Sequence, residues 1–410
     1  MMPELINRPE YLKQLIENKD VDLVKIVTGI RRCGKSSLLD LFHNYLTESG
    51  IDSAHIIHMN LESLRYRELS DYLALYDYVK KLIPRNGRTY LIFDELQVVL
   101  HWEKAIESFR IDFDVDIYIT GSNAYLWSYE FSTLLSGRYV EIRMLPLSYK
   151  EFLTFYEFDN IISADEKFQT YLKFGGMPIL REYKFNEVRI NQALEGIYST
   201  VILRDILQRT NQADQHTLQK IILFLCSNSG SITSPNSIGN VLSNEGDISD
   251  RKGKKIAGKT VEKYISLLHS AFIFYPVRRY DVKGKQPLKT LEKNYIIDMG
   301  FRNLLLGYRD ADRGHILENI VFLELLRRDY SVYIGKVNDN EVDFIAEKPS
   351  DKIYIQVTES MQSPETRERE LRPLRLINDN YEKLVLSMDR NFINSYDAIK
   401  SLNLIDWLLM

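Results

Sequence analysis

The chain has 410 residues, 45% of them hydrophobic and 27% charged. That excludes disordered, collagen-like and mini-protein classes, and at roughly 100–200 residues per domain it predicts two to four domains. Two cysteines, Cys33 and Cys226, exclude a disulfide framework and a four-thiolate zinc site, and suit a reducing compartment. The net charge of −4 hides an asymmetry: residues 251–293 hold twelve Lys/Arg against three Asp/Glu, a net +9, which leaves −13 for the rest.

No apolar run approaches the ~18 residues of a membrane span. The N-terminus carries Glu4, Glu10, Glu17 and Asp20 without an apolar block, unlike a signal peptide. The expectation is a cytoplasmic protein with no membrane partner.

The first third alternates apolar runs with helical patterns, which predicts a parallel sheet with crossover helices. Leu23–Val27, His55–Met59, Thr89–Phe93, Val115–Ile119 and Val140–Arg143 read as strands, and Ser36–Tyr45 and Gln97–Arg110 as helices. Tyr149 to Gln208 is helical, broken at Gly175-Gly176-Met177-Pro178. Leu218–Cys226, Ile238–Val241 and Thr260–His269 predict three helices, then Phe272–Arg279 and Leu291–Ile297 a hairpin. That is the winged helix-turn-helix order. Beyond it, Leu317–Arg327 predicts a helix, and Ser331–Gly335, Glu341–Glu347 and Ile353–Thr358 three strands. Glu365–Ile377 predicts a helix that Pro373 kinks or splits, Lys383–Ser387 a strand, and Ala398–Leu409 a terminal helix. The expected domains are an α/β domain with a parallel sheet (1–155), a helical lid or linker (156–210), a winged helix (211–300) and a small α/β module (301–410).

Gly29-Ile-Arg-Arg-Cys-Gly34-Lys35-Ser36 matches G-x-x-x-x-G-K-[ST], between a predicted strand and a predicted helix. The glycines let the loop curl so that backbone N–H groups face phosphates, and the helix adds its positive end. Gly29, Ile30, Arg31, Arg32, Cys33, Gly34, Lys35, Ser36 and Ser37 are therefore the candidate nucleotide-binding residues. Lys35 would reach the β and γ phosphates, and the Ser36 hydroxyl would hold Mg²⁺. Tyr90-Leu-Ile-Phe-Asp94-Glu95 ends a predicted strand in two carboxylates: Asp94 for the metal, Glu95 to orient a water. Asn123, in Thr120-Gly-Ser-Asn123, would contact the γ-phosphate or the water, and Arg138 would place a guanidinium on the γ-phosphate, in cis or in trans. Cys33 reads as a small residue filling a loop position, with a reactive thiol as the competing reading.

Phe93-Asp94-Glu95-Leu-Gln97, His101-Trp102-Glu103, Thr120 to Ala124, Leu135-Ser-Gly137-Arg138 and Leu145-Pro146-Leu147-Ser148 resemble prokaryotic AAA+-superfamily ATPases with an AAA_14-type domain and a C-terminal DUF4143 domain. The resemblance extends through Gly175 to Pro178, Tyr198 to Asp205, His315-Ile-Leu-Glu318-Asn319 and Glu341-Val-Asp343-Phe344. It implies an ASCE-type P-loop fold, ATP and Mg²⁺ as cofactors, ATP hydrolysis, Asn123 as sensor and Arg138 as finger.

In the basic window, Lys254, Lys255, Lys259 and Lys263 precede or lie along the third helix of the winged-helix pattern, and Lys283, Lys285 and Lys289 fall near the wing. Such lysines would hold the phosphates of duplex DNA; a dock for an acidic protein surface is the competing reading. Glu318, Asp343 and Gln356-Val-Thr358 resemble a PD-(D/E)xK nuclease core in which Thr358 replaces the lysine. Lys348 or Lys352 would have to supply the missing charge, so a degenerate, non-cleaving module is expected. The combined expectation is a Mg²⁺-dependent ATPase coupled to a winged helix that binds DNA or a protein partner, in a chain that can form homo-oligomers. The alternatives are a slow ATP-responsive DNA-binding regulator and an ATP-gated nuclease.

Overall fold

The computed structural model describes residues 5–122, 137–156, 158–159, 161–207, 214–244, 256–282, 284, 286–309, 313–390 and 393–410, with side chains described for all of these but 203–205 and 286–290. The chain divides into two compact units, Met1–Pro146 with Ser270–Phe272, and Leu147–His269 with Ile273–Met410.

In the first unit, β1 (Val24–Thr28), β2 (Ile56–Asn60), β3 (Thr89–Asp94), β4 (Val115–Gly121) and β5 (Tyr139–Arg143) form one sheet in the order β2-β3-β4-β1-β5. Every pairing is parallel. Parallel strands are covered on both faces, so they read as continuous apolar runs rather than alternating ones; β1 and β3 are buried at every position. On one face, Leu75 and Val79 of α3 (Tyr72–Lys80) and Ala105, Ile106 and Phe109 of α4 (Trp102–Asp112) pack on Ile26, Leu91, Phe93, Ile117 and Ile119. On the other, Phe42 of α2 (Lys35–Glu48) stacks against Tyr118 at 4.3 Å, with α1 (Pro9–Glu17) alongside α2. Burying a side chain such as Phe42 contributes about 1.5–3 kcal/mol.

The expected helix Gln97–Arg110 is interrupted. Leu96–Val98 is a single 3₁₀ turn, and α4 starts only at Trp102. The cause is Leu100: its N–H donates to Ser70 O and its carbonyl accepts from Tyr72 N, so its backbone is spent on a β-bridge.

The second unit opens with α5 (Tyr149–Phe155) and α6 (Ala164–Phe174), each started by a Ser/Glu capping box, Ser148/Glu151 and Ser163/Glu166. α7 (Glu187–Thr200) runs into a π-helical turn at Val201–Leu207. Then come α8 (Gln215–Ser227), β6 (Ile232–Thr233), α9 (Pro235–Asn244), α10 (Gly258–Ser270) and the hairpin β7 (Phe274–Asp281) and β8 (Gln286–Ile296). α11 (Met299–Leu306) and α12 (Arg313–Arg327) follow. β9 (Ser331–Val337), β10 (Asn340–Lys348), β11 (Asp351–Val357), α13 (Pro364–Arg375), β12 (Glu382–Ser387), β13 (Ser395–Tyr396), β14 (Ile399–Asn403) and α14 (Leu404–Leu409) complete it. α13 continues through Pro373.

The hairpin and the C-terminal strands share one sheet, ordered β13-β14-β12-β11-β10-β9-β7-β8-β6. The parallel β7–β9 pairing, Arg279↔Ile334 to Asp281↔Lys336, makes it continuous. The long stretch of the first unit ends at Pro146. Phe322 of α12 packs near Phe344 on one face, while Leu371 and Leu374 of α13 pack with Ile345 and Tyr354 on the other. The terminal helix expected from Ala398 starts only at Leu404. Ile399–Asn403 is a strand parallel to β12, and the Asn403 side chain caps α14 by accepting from Ile405 N and Asp406 N.

The pair Gly175-Gly176 is structural. At Gly175, φ is +79° and a Cβ would lie 2.1 Å from Asp298 Oδ1. Asp298 accepts from Gly176 N at 2.6 Å and from Gly300 N at 2.8 Å, and Asn303 Nδ2 donates to Leu172 O and Lys173 O. Together these tie the end of α6 to the start of α11.

Candidate nucleotide site

The glycine-rich loop joins β1 to α2. Gly29 has φ +148°, and a Cβ there would lie 2.1 Å from Met144 O, so only glycine allows the loop to pass β5's continuation. Lys35 is 4% exposed and its Nζ donates to Gly29 O at 2.9 Å and Ile30 O at 3.1 Å. Among the described residues no carboxylate pairs with this buried ammonium. A buried cation at the positive end of a helix, beside a curled loop, fits a phosphate group.

Ile30 and Cys33 are buried, while Arg32, Ser36 and Ser37 are exposed. Burial pushes the Cys33 thiol pKa up, so Cys33 is a packing residue rather than a reactive thiolate. Arg31 pairs with Glu62 at 3.0 and 3.2 Å.

Asp94 and Glu95 end β3. Because all five strands are parallel, this end lies at the same sheet edge as the loop after β1. Asp94, 2% exposed, accepts from Thr120 Oγ1 on Oδ1 and from Asn60 Nδ2 on Oδ2 at 2.9 Å. Thr120 Oγ1 also accepts from Glu95 N at 2.8 Å. One hydroxyl at the end of β4 therefore joins both acidic positions. Glu95 adopts φ +54°, and its Oε2 accepts from Gln97 Nε2 and, at 3.3 Å, from Ser122 Oγ. Ser36 at the start of α2 and Asp94 are the candidate Mg²⁺ ligands of this edge.

Asn60 and Arg8 stand in no motif of the sequence, and Gln97 enters only in the run Phe93 to Gln97, with no role of its own. Asn60 had a readable signal, a polar residue ending an apolar strand run, in register with Asp94. Arg8 had none: it lies ahead of α1, yet is 3% exposed and donates to Cys33 O at 3.1 Å and Leu145 O at 2.9 Å.

Arg138 sits elsewhere. Its carbonyl accepts from Val24 N at the start of β1, whereas the phosphate loop follows the end of β1. The whole strand, about 16 Å at ~3.3 Å per residue, separates its backbone from its own loop. Asn123 lies outside the described residues.

In the basic window, Lys254, Lys255, Lys283 and Lys285 also lie outside the described residues, as do the side-chain contacts of Lys289. Lys259 and Lys263 are exposed on one face of α10, four residues apart. Lys293 is not part of any basic surface. It is 4% exposed and bridges Glu318 at 2.8 Å and Glu341 at 2.7 Å.

The cation beside Glu318 comes from β8, while Lys352 pairs with Glu347 and Lys348 lies over the Tyr330 ring. Gln356 is engaged at both ends of its amide: Oε1 accepts from Asp343 N and Nε2 donates to Glu370. Asp343 Oδ2 accepts from Val357 N at 2.8 Å. Asn319, fully buried, accepts from Ser229 Oγ and Ile296 N and donates to Ile296 O. The run His315 to Asn319 thus fastens α12 to β8. Among the described residues, no group of three or more His, Cys, Asp or Glu could hold a metal ion.

Residues 22–153 match the family model AAA_14, an AAA domain, and residues 165–312 match a domain of unknown function, DUF8612. The domain behind the AAA domain is therefore DUF8612, not the expected DUF4143. An uncharacterized protein of Haemophilus influenzae is 39% identical over 413 residues, covering 100% of both chains. The uncharacterized protein MJ1544 of Methanocaldococcus jannaschii is 28% identical, over 95% of this chain and 86% of that one. Among solved structures, the Walker-type ATPase PABY2304 of Pyrococcus abyssi is similar, with a TM-score of 0.51 and 16% identity over 73% of this chain and 95% of that one. The likeness is one of fold, an α/β arrangement with a five-stranded parallel sheet. No helix among the described residues is long and apolar enough to cross a membrane.

Proposed function

The chain belongs to one protein family with its full-length Haemophilus influenzae relative and carries an AAA domain followed by DUF8612; on that premise we propose that it is a Mg²⁺-dependent ATPase of ASCE type. The observation that carries this reading is Thr120, whose hydroxyl ties Asp94 to the Glu95 backbone at the sheet edge shared with the phosphate loop.

In this reading the loop amides and Lys35 bind the β and γ phosphates, and Ser36 and Asp94 hold the metal. Mg²⁺, when bound, supplies charge that neutralises the phosphates. Glu95 accepts a hydrogen bond from the attacking water and orients it in line with the γ-phosphate. Arg138, remote from its own loop, acts on a neighbouring subunit of a homo-oligomer.

The finer reading is that nucleotide state is coupled to a winged helix formed by α8, β6, α9, α10 and the β7–β8 hairpin, which binds duplex DNA. It is supported by that element order and by the exposed Lys259 and Lys263. The nuclease alternative is disfavoured by the Lys293–Glu318 pair and the doubly engaged Gln356.

The test is steady-state ATP hydrolysis by wild type and Glu95→Gln, with and without duplex DNA. Turnover that needs Glu95 is expected, stimulated by DNA. Equal rates for the two proteins would remove the ATPase reading, and indifference to DNA would leave the basic face as a protein dock.

A further inference from the structure

We propose that Gln97 is a positioning residue for hydrolysis, holding the Glu95 carboxylate by one oxygen and leaving the other to the attacking water. The inference rests on the ATPase reading above.

Glu95 adopts a left-handed backbone conformation, φ +54°, at the junction of β3 and a 3₁₀ turn. That conformation is costly for a residue with a Cβ and persists where the surroundings enforce it. The turn, closed by Val98 N donating to Glu95 O at 3.3 Å, carries Gln97 back onto its neighbour. Gln97 Nε2 donates to Glu95 Oε2, and Ser122 Oγ reaches the same atom at 3.3 Å.

Both donors thus converge on Oε2, and among the described residues neither engages Oε1. Asp94 is held differently, accepting on both of its oxygens. A contact that silenced Glu95 would be expected to cover both oxygens; one that aims it covers one. The remaining polar atom of the amide, Gln97 Oε1, is buried with no hydrogen-bond partner among the described residues. Holding a reacting group in one geometry accelerates a reaction without tightening ground-state binding.

The experiment compares Gln97→Ala and the similarly shaped Gln97→Met with wild type, each also combined with Glu95→Gln. ATP turnover, binding of a non-hydrolysable ATP analogue and hydrogen exchange of the nucleotide-free protein are measured. A kcat loss of about tenfold or more is expected, with KM and analogue Kd within about twofold. In the Glu95→Gln background the second substitution should cost nothing further, because Gln97 acts through Glu95. The Val98 amide should exchange faster in both single variants. Unchanged kcat, an additive loss in the double variants, or a parallel loss of analogue binding would overturn the proposal. Glu95-dependent turnover indifferent to Gln97 removes this inference alone, whereas turnover indifferent to Glu95 removes the ATPase reading itself.

Discussion

Lys293 Nζ lies 2.8 Å from Glu318 Oε1, joining β8 to α12. Burial opposes the charge on Lys293, but Glu318, Asp343 and Glu341 outweigh it and raise its pKa. Burial likewise raises Glu318, and Lys293 together with the hydrogen bonds of His315 and Tyr295 outweighs it, so its pKa is lowered. Asp343 is pushed well up, by burial first and by the Glu318 charge second. The cluster is a compensated network in which one lysine serves the carboxylates that a metal would serve in a nuclease.

Replacing Lys293 by Met should therefore destabilise the second unit by about 3–5 kcal/mol, because Glu318 is left buried without its cation. Adding Glu318→Leu should recover much of that loss, since an apolar pair can replace a buried ion pair. Urea unfolding of the two variants checks both statements; a harmless Lys293→Met would show that the pair carries no stability.

Asp298 gives a pH dependence. Burial, opposed by the N–H groups of Gly176, Gly300 and Phe301, raises its pKa from 3.8 to about 6. The folded state then binds the proton more tightly than the unfolded one, so stability falls as pH rises from about 4 to 6 and is level above that. A shift of about two units corresponds to about 3 kcal/mol. The protection of the Gly176 and Gly300 amides, with the intrinsic rise of exchange with pH divided out, should fall over that window in wild type. Asp298→Asn should flatten the trend, and an equal slope in both proteins would assign it to another group.

The parallel strands and the phosphate loop were legible because burial on both faces writes continuous apolar runs and the loop chemistry fixes its spacing. Gln97 was read as part of a helix because its spacing suits one, but Leu100 spends its backbone on Ser70 and Tyr72 and cuts that helix short. Ile399–Asn403 was read as helix for a similar reason: its pairing with β12 is a contact between distant segments that no local pattern records. For Arg138 the sequence leaves cis and trans open, because a motif gives chain position, not which end of a strand the residue occupies. Lys293 was counted in a basic face because its partner Glu318 lies 25 residues away.

Arg8 should matter for nucleotide binding although it belongs to no motif. Its guanidinium joins the Cys33 carbonyl in the loop to the Leu145 carbonyl. A hydrogen bond from a charged group contributes about 1.5–3 kcal/mol. Arg8→Ala should weaken binding of a fluorescent ATP analogue about tenfold with the kcat/KM loss following it. Both bonds come from the one Nη1, so Arg8→Lys, whose ammonium also offers several donors, should rescue part of the loss. Wild-type affinity in Arg8→Ala would mean that the loop holds its shape without the brace.

Arg138 offers a test of assembly. Its backbone is fixed at the start of β1 through Val24, a strand's length from the loop it would serve. Arg138→Ala should bind nucleotide normally and lose turnover by a factor of about 10³ or more, the range for an arginine supplied to a γ-phosphate. Glu95→Gln should also be inactive while retaining Arg138. Mixing the two dead proteins places an intact Arg138 against an intact Glu95 at some of the subunit junctions, so activity should return in a concentration-dependent way. Mixtures that stay dead while forming mixed oligomers would take Arg138 out of the reaction. Full activity in Arg138→Ala alone would do the same without the need for mixing.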